Sequence, residues 1–541
     1  MDVERDGGGE TKAAAKWRQA IRPEFVLSGF LMSSLLLVYV YATRRSSFTL
    51  EGTRNSPSAT STSPQDELLG GLLSPGFDEQ SCESRYKSSL YRKKLPFSPS
   101  SYLIERLRKY ESYHKKCSPK TTLYSNAVEQ LKSGNNNTAD MGCKYLVWLP
   151  FNGLGNRMLS LASAFLYALL TNRVLLIHDT NESEDLFCEP FPGSSWLLPS
   201  DFPVKNFENF DWGSPKSYVN MLKSKVIGKN VNSSSQMLPE YVYLDLVSAM
   251  LRSETNIFCE EHQLVLEKLN WMILKSDVYF IPPLFMMQIY RDELHRLFPI
   301  KESVFHHLGR YLFHPANQVW GIITRYYEAY LSRADEVLGL QIRIFDEAPI
   351  SFDDMYEQIV TCSQNEKLLP ETANPTKISN SPLNVTKVKA VLVTSLYSGY
   401  YEKMKAMYYE KPTATGEVVA IYQPSHEEQQ HTEANMHNQK ALAEMYLLSY
   451  SDEIITSGYS TFGYIAHGLG GLRPWILVRP GWMQRIASPP CVRAMSVEPC
   501  LHSPPGFDCR AKEGVDLGTL VPYVRHCEDV SHGLKLFNYL A

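Results

Sequence analysis

The chain has 541 residues, of which 44% are hydrophobic and 21% charged, and its formal net charge is −4. That is ordinary globular composition, with length for about two to four domains. The near-neutral balance gives no support for nucleic-acid binding.

Residues 1–24 read as a short tail carrying Lys12, Lys16, Arg18 and Arg22. Phe25–Thr43 is uncharged and mostly apolar. As a helix it reaches roughly 28 Å, close to a bilayer's hydrocarbon core. Arg44 and Arg45 follow it. The basic bias puts the N-terminus in the cytosol, which makes this an N-terminal transmembrane helix with everything after it lumenal. A cleaved signal peptide is the alternative, but the run is long and lacks a clean small-x-small site. Residues 44–96 read as a stem, because Ser56–Pro64 is too polar and proline-broken to bury a core. The folded body is expected from about Phe97.

The first half of the body, 97–320, opens with an apolar strand run over Lys144–Pro150, a glycine turn over Phe151–Arg157, and an apolar helix over Met158–Leu170. Val174–His178 is a second strand run. Strand, turn, helix, strand is a βαβ unit with a parallel sheet. Gly153 and Gly155 permit a tight turn and a close backbone approach, beside Asn156 and Arg157. The second half, 321–480, alternates more clearly. Strands are predicted at Val337–Ile344, Ala390–Thr394, Val418–Ile421, Glu453–Thr456 and Trp475–Val478, and helices at Asp353–Ser363, Tyr400–Tyr409, Thr432–Ser449 and Phe462–Leu469. The expected fold class is therefore α/β, with two Rossmann-like domains facing each other across a cleft. Residues 481–541 read as a disulfide-rich tail packing back on the body.

Ten cysteines fit disulfides better than zinc, since the last four, Cys491, Cys500, Cys509 and Cys527, have no Cys-x-x-Cys spacing. Sequons at Asn136, Asn181, Asn232 and Asn384 permit glycosylation. No metal-ligand set stands out. The Asp353–Asp354 pair reads as a helix start, where acids are favoured.

Arg343 sits near the end of a strand run, where open α/β sheets bind ligands. A guanidinium there suits a phosphate, because it is planar, permanently charged and able to grip two oxygens. A structural ion pair is the blander role. Tyr459, Ser460, Thr461 and Phe462 lead from the next-but-two strand into a helix, so their hydroxyls and free N–H groups suit a phosphate or ribose, or plain N-capping. Tyr459, Phe462 and Tyr464 are the aromatics available to stack on a base, or are core. His306 and His307 read as core histidines, and Glu444 and Tyr446 as structural residues inside a helix.

Several unusual strings occur in order: Gly153–Arg157, Asp185–Phe191, Phe305–Pro315, Gln341–Glu347, Met436–Ser449, Ser460–Tyr464, Gly468–Trp475 and Arg525–Asp529. Together they resemble the plant cell-wall fucosyltransferases of the xyloglucan type, from about Tyr102 to the C-terminus. The resemblance implies the GT-B arrangement and an inverting, metal-independent transferase in the Golgi membrane. It would move L-fucose from GDP-fucose to a galactose 2-hydroxyl on a plant glycan, xyloglucan or arabinogalactan in type, without a further cofactor. Relatives outside plants tend to carry His-x-Arg where this chain has Gln341-Ile342-Arg343, so the arginine is kept and the histidine is not.

Breaking a sugar–diphosphate bond leaves negative charge that arginine and backbone N–H groups must meet when no metal does. Arg343 and the N–H groups near Ser460–Phe462 fit that task. The acceptor hydroxyl must lose a proton. Asp277, which follows Leu274–Ser276, precedes Tyr279–Pro282 and so borders an apolar strand, and Asp529, in the tail, are the base or brace candidates, the brace being an ion pair to Arg343. Two other classes compete. A Golgi sulfotransferase would need a phosphate loop with a lysine and hydroxyl that Gly153–Arg157 lacks. A catalytically idle scaffold would not need Arg343, Ser460, Thr461 and Asp529 together. Stem and body both permit a homodimer.

Overall fold

The computed structural model describes residues 68–539, apart from 93–95, 135–141, 179–182, 228–237, 248–254, 347–348, 374–386, 482–483, 506–508 and 510–514. The apolar run at 25–43 and all four sequon asparagines lie outside the described residues. Among the described residues no helix is long and apolar enough to cross a membrane.

Short β-rich apolar runs without alternation form strands covered on both faces, which is the habit of parallel sheets. In the first half these are β1 (Tyr145–Leu149), β2 (Val174–Ile177), β3 (Tyr241–Leu246) and β4 (Trp271–Ser276). They pair in the order β2-β1-β4-β3, all parallel. Leu146 and Trp148 face one core, and Tyr145, Val147 and Leu149 the other. The helix Leu154–Leu170 is apolar nearly all round, so it lies buried in the centre of the molecule.

The second half holds β5 (Glu336–Ile342), β6 (Val388–Ser395), β7 (Val418–Tyr422), β8 (Glu453–Ser457), β9 (Trp475–Leu477) and β10 (Cys491–Arg493). Their order is β10-β9-β8-β5-β6-β7, parallel except for β10. Read from β7 to β9 this is the doubly wound order of a dinucleotide-binding sheet. Two short strands, β11 (Val524–His526) and β12 (Leu534–Leu536), form a separate hairpin.

The described residues belong to one compact unit. The two sheets are joined by helix packing as well as facing across a cleft. The helix Thr461–Gly470 lies against both Leu154–Leu170 and Val304–Leu312. It approaches the latter so closely that a Cβ on Gly468 would sit 2.4 Å from the Phe305 ring. His306 and His307 are buried in that region, and burial pushes both imidazoles down, so they are neutral core groups. The C-terminal stretch lies on the first half: Tyr523 donates to the Phe285 carbonyl at 3.1 Å and Asn538 to Glu302 at 3.1 Å.

One expectation needs correction. The stem does not extend to residue 96. Leu69, Leu72 and Leu73 are buried in the main core, and Cys82 is bonded to Cys188. The run Leu68–Leu73 is apolar but broken by two glycines, so it gives no periodic signal. The strand beside Asp277 precedes it as β4, while Ile281–Met286 is a helix with prolines in its first turn. The tail is tied both to itself and to the body. Only Cys500 and Cys527 pair within it, whereas Cys491 reaches Cys362 and Cys509 reaches Cys259. Cys117–Cys143 completes the set.

Candidate active site

A parallel sheet splits open where its strand order reverses, and ligands bind outside the strand C-termini at that point. In the first sheet the reversal lies between β1 and β4. The turn Asn152–Gly153 follows β1, and Asp277 follows β4. Asn152 Nδ2 donates to Asp277 Oδ2 at 2.5 Å and Asn156 Nδ2 to the Asp277 carbonyl at 3.1 Å. In the second sheet the reversal lies between β5 and β8, and there stand Arg343 and Tyr459–Phe462. The two openings share one cavity of about 830 Å³.

The starts of two helices meet in it. Leu154–Leu170 begins after Gly153, and Thr461–Gly470 after Ser460, whose Oγ accepts from Gly463 N–H at 3.4 Å. Their first turns touch at Gly155, where a Cβ would lie 2.8 Å from Thr461 Oγ1 and 2.9 Å from the Thr461 carbonyl carbon. Thr461 Oγ1 donates to Asn156 Oδ1 at 3.1 Å. The N–H groups of two first turns and two positive helix ends therefore converge, which favours an anion.

Arginines sit beside them. Arg343 Nη2 donates to Gln430 Oε1 at 2.9 Å, and its own N–H donates to Ser457 Oγ at 2.9 Å. No ion pair holds Arg343 among the described residues. Arg157 Nε donates to the Asn152 carbonyl at 2.7 Å and its Nη2 lies 3.5 Å from the exposed Glu433.

Gly153, Gly155, Asn156, Arg157, Arg343, Tyr459, Ser460, Thr461 and Phe462 thus all line the one cavity. Asp277 and Asp529 do not. Asp277 is buried beneath the Asn152 turn. Asp529 Oδ2 accepts Tyr459 N–H at 2.9 Å and Tyr464 O–H at 2.5 Å. Tyr459 has φ of +64°, a left-handed conformation unusual for an aromatic residue. The carboxylate fixes that backbone. Because Tyr464 O–H is given to Asp529, His502 Nε2–H is the donor in its 3.0 Å bond to Tyr464; the His502 ring lies 5.0 Å from that of Tyr459. Neither aspartate braces Arg343. Each holds a turn at the cavity wall. Tyr464 itself is buried and so bonded, not a stacking surface.

Sequence reading missed the cavity's far wall. The loop after β7, Gln423–Ala434, contributes Ser425, Glu427 and Gln430, and the helix Asn435–Ser449 contributes His437, Lys440 and Glu444. Lys440 Nζ at 2.5 Å and His437 Nδ1 at 3.2 Å hold Glu427 and lower its pKa. Glu444 is buried with its pKa pushed up to about 7 by desolvation. Ser425 Oγ donates to it at 2.5 Å. The signal available was position: a polar loop at a strand C-terminus in a doubly wound sheet. Tyr446, by contrast, is structural, its hydroxyl donating to the buried Phe313 carbonyl. Among the described residues one cluster has metal-ligand spacing, Cys500, Cys527 and Asp529. Its two sulfurs are bonded to each other, so it offers no thiolate.

A family model described as xyloglucan fucosyltransferase matches residues 43–510. A galactoside 2-alpha-L-fucosyltransferase of Arabidopsis thaliana is 55% identical over 87% of this chain and 83% of its own. One of Pisum sativum is 53% identical over 87% and 82%. A solved structure of a mutant of Arabidopsis thaliana FUT1 in complex with GDP is 54% identical, covers 87% of this chain and all of that one, and superposes with a TM-score of 0.80. By family match, by identity and by fold, this chain belongs to the xyloglucan fucosyltransferases.

Proposed function

We propose that the protein is a galactoside 2-α-L-fucosyltransferase. It moves L-fucose from GDP-fucose to the 2-hydroxyl of galactose on a plant cell-wall glycan, with inversion and with no metal in the step. The observation that carries this reading is the meeting of two helix N-termini beside Arg343 and Arg157 in one cavity.

The acceptor oxygen attacks the fucose carbon as the bond to phosphate breaks, and the electron pair moves onto the diphosphate. Arg343 and the N–H groups at Leu154–Asn156 and Thr461–Phe462 meet that charge from fixed positions, so little reorganisation is needed as it develops. Asp277 and Asp529 act as positioning residues, through the Asn152 and Tyr459 turns. The proton of the acceptor hydroxyl passes to water in the cavity, since neither Asp277 nor Asp529 lines it. The two sheets give the GT-B arrangement, with GDP on the second. The apolar span at 25–43 makes the protein a single-pass type II Golgi membrane protein with a lumenal body. Five disulfides suit that oxidising compartment.

The test incubates purified full-length protein with GDP-fucose and either xyloglucan or arabinogalactan, each with EDTA or with Mn²⁺, followed by linkage analysis. The expected product is α-1,2-linked fucose on galactose, formed at the same rate in both conditions. Absence of transfer to either acceptor, or transfer only when metal is supplied, would refute the proposal.

A further inference from the structure

Away from the donor cavity, a group of cations is gathered in the interior. Arg310, near the end of the helix Val304–Leu312, is only 5% exposed. Its Nη1 donates to His306 Nε2 at 3.0 Å, and His306 Nδ1 donates in turn to the Gly468 carbonyl at 3.0 Å. Arg310 Nη2 is buried and has no hydrogen-bond partner among the described residues. A guanidinium keeps its proton in a protein, so this one is charged. The groups that act on that charge are Arg92, Tyr446 and Tyr450, and no described carboxylate is among them. Tyr446 and Tyr450 lie one turn apart at the end of the helix Asn435–Ser449. Tyr446 gives its hydroxyl hydrogen to the Phe313 carbonyl, but the buried Tyr450 hydroxyl has no partner. Arg92 follows the Leu68–Tyr91 segment. Its Nη1 donates to the Leu469 carbonyl at 2.7 Å, its guanidinium lies 5.2 Å from the Tyr450 ring centre, and its Nε is buried without a partner. Arg85, Arg92 and Arg310 all act on the buried His314, whose Nε2 is likewise unpartnered. Glu111, the acid that faces Arg85, is already engaged by Arg108 at 3.0 Å and Tyr311 at 2.8 Å.

We propose that Arg310 Nη2, Arg92 Nε and the Tyr450 hydroxyl hold a chloride ion at this junction, with His314 taking up a proton as a fourth donor when the ion is in place. Interior charges are paired in native proteins because isolating one from water is costly, and each unpartnered buried donor adds its own penalty. One small anion meets both demands. A halide accepts from N–H and O–H groups in any direction and asks for no donor in return. Phosphate or sulfate needs more room than atoms closed off from solvent leave. A bridging water satisfies donors but brings no charge, so it leaves Arg310 unmatched. The ion ties the helix Val304–Leu312 of the first half to the end of the helix Asn435–Ser449 of the second and to the N-terminal segment through Arg92. It stabilises the body and takes no part in the transfer of fucose.

The experiment pairs crystals of the protein grown in sodium bromide, with data taken at the bromine absorption edge, and thermal melts of the full-length protein in which sodium chloride replaces sodium gluconate at constant ionic strength. An anomalous peak is expected within hydrogen-bond reach of Arg310 Nη2 and the Tyr450 hydroxyl. The wild-type midpoint should rise by about 2 °C or more as chloride goes from about 1 mM to about 100 mM, because the ion binds the folded state alone. Arg310→Met, which removes the charge at similar length, should lose that rise. Should the methionine variant not fold, Tyr450→Phe, which removes one donor and little volume, should cut the rise by about half or more. Water alone at the site, or wild-type melts that coincide in chloride and gluconate, would overturn the inference. So would a chloride response that the substituted protein keeps in full.

Discussion

Replacing Arg343 by alanine separates the chemistry from the fold. Among the described residues the side chain makes one hydrogen bond, to Gln430 at 2.9 Å, and its guanidinium lies 5.6 Å from the Phe345 ring centre. It has no ion pair among the described residues, and the backbone bond to Ser457 survives the substitution. The loss of stability is therefore about 1 kcal/mol or less, which in a body of this size moves the melting temperature by only about 2 °C. The loss of turnover is much larger. Removing a preorganised donor from a developing anion costs on the order of a hundredfold, or about 2.7 kcal/mol in the barrier. Arg343→Lys keeps the charge but loses the fork, and should cost at least about tenfold. The assay is turnover at saturating GDP-fucose and galactose-terminated acceptor, with a thermal melt on the same preparations. Near-normal turnover of Arg343→Ala would refute the reasoning, and so would an activity loss explained wholly by unfolding.

Four further outcomes are expected. Asp529→Asn removes the charged acceptor of Tyr459 N–H and Tyr464 O–H; calorimetry should find weakened GDP binding while the acidic limb of the turnover profile stays, whereas loss of that limb would make Asp529 a base. Gly155→Ala drives a Cβ to within 3.0 Å of Phe462 N and closer to Thr461, so denaturant melts should show a loss of about 1–3 kcal/mol and GDP binding should fall with it. Cys82→Ser frees the Leu68–Tyr91 segment from Cys188 across a sequence separation of 106, and chemical denaturation should show a loss of about 2–5 kcal/mol. Glu498 is buried with its pKa raised to about 8 by desolvation, and accepts from Tyr279 and Phe305. Its folded form favours the proton, so its contribution is full below the ordinary carboxyl range and fades as pH rises toward 8. Between pH 5 and pH 8 the melting temperature of Glu498→Gln should rise relative to that of wild type at each pH, and a difference that stays constant with pH would remove Glu498 as a source of pH dependence.

Legibility followed burial. The runs that became β1, β2, β5, β6 and β8 stood out because both their faces are covered, which favours Val, Ile and Leu. The Leu154–Leu170 helix stood out for the same reason. β3 was harder, since Tyr241–Leu246 carries Asp245 within it. β4 was masked by Lys275 and Ser276 at its end. At the site, Arg343 and Ser460–Phe462 were readable because glycine turns and strand ends have positional meaning. The partners of Asp277 and Asp529 were not, because Asn152 lies 125 residues from Asp277 and Tyr459 lies 70 from Asp529. Glu444 looked structural because helix periodicity cannot tell a buried acid that faces a cavity from one that faces core.

The central claim is that the diphosphate rests where the two helix starts meet, and a crystal structure of the full body with GDP tests it most directly. The account predicts phosphate oxygens within hydrogen-bond distance of the Thr461 and Phe462 N–H groups and of the Arg343 guanidinium. A diphosphate seated elsewhere, with Arg343 still turned to Gln430 and the N–H groups of both helices unbonded to it, would contradict it.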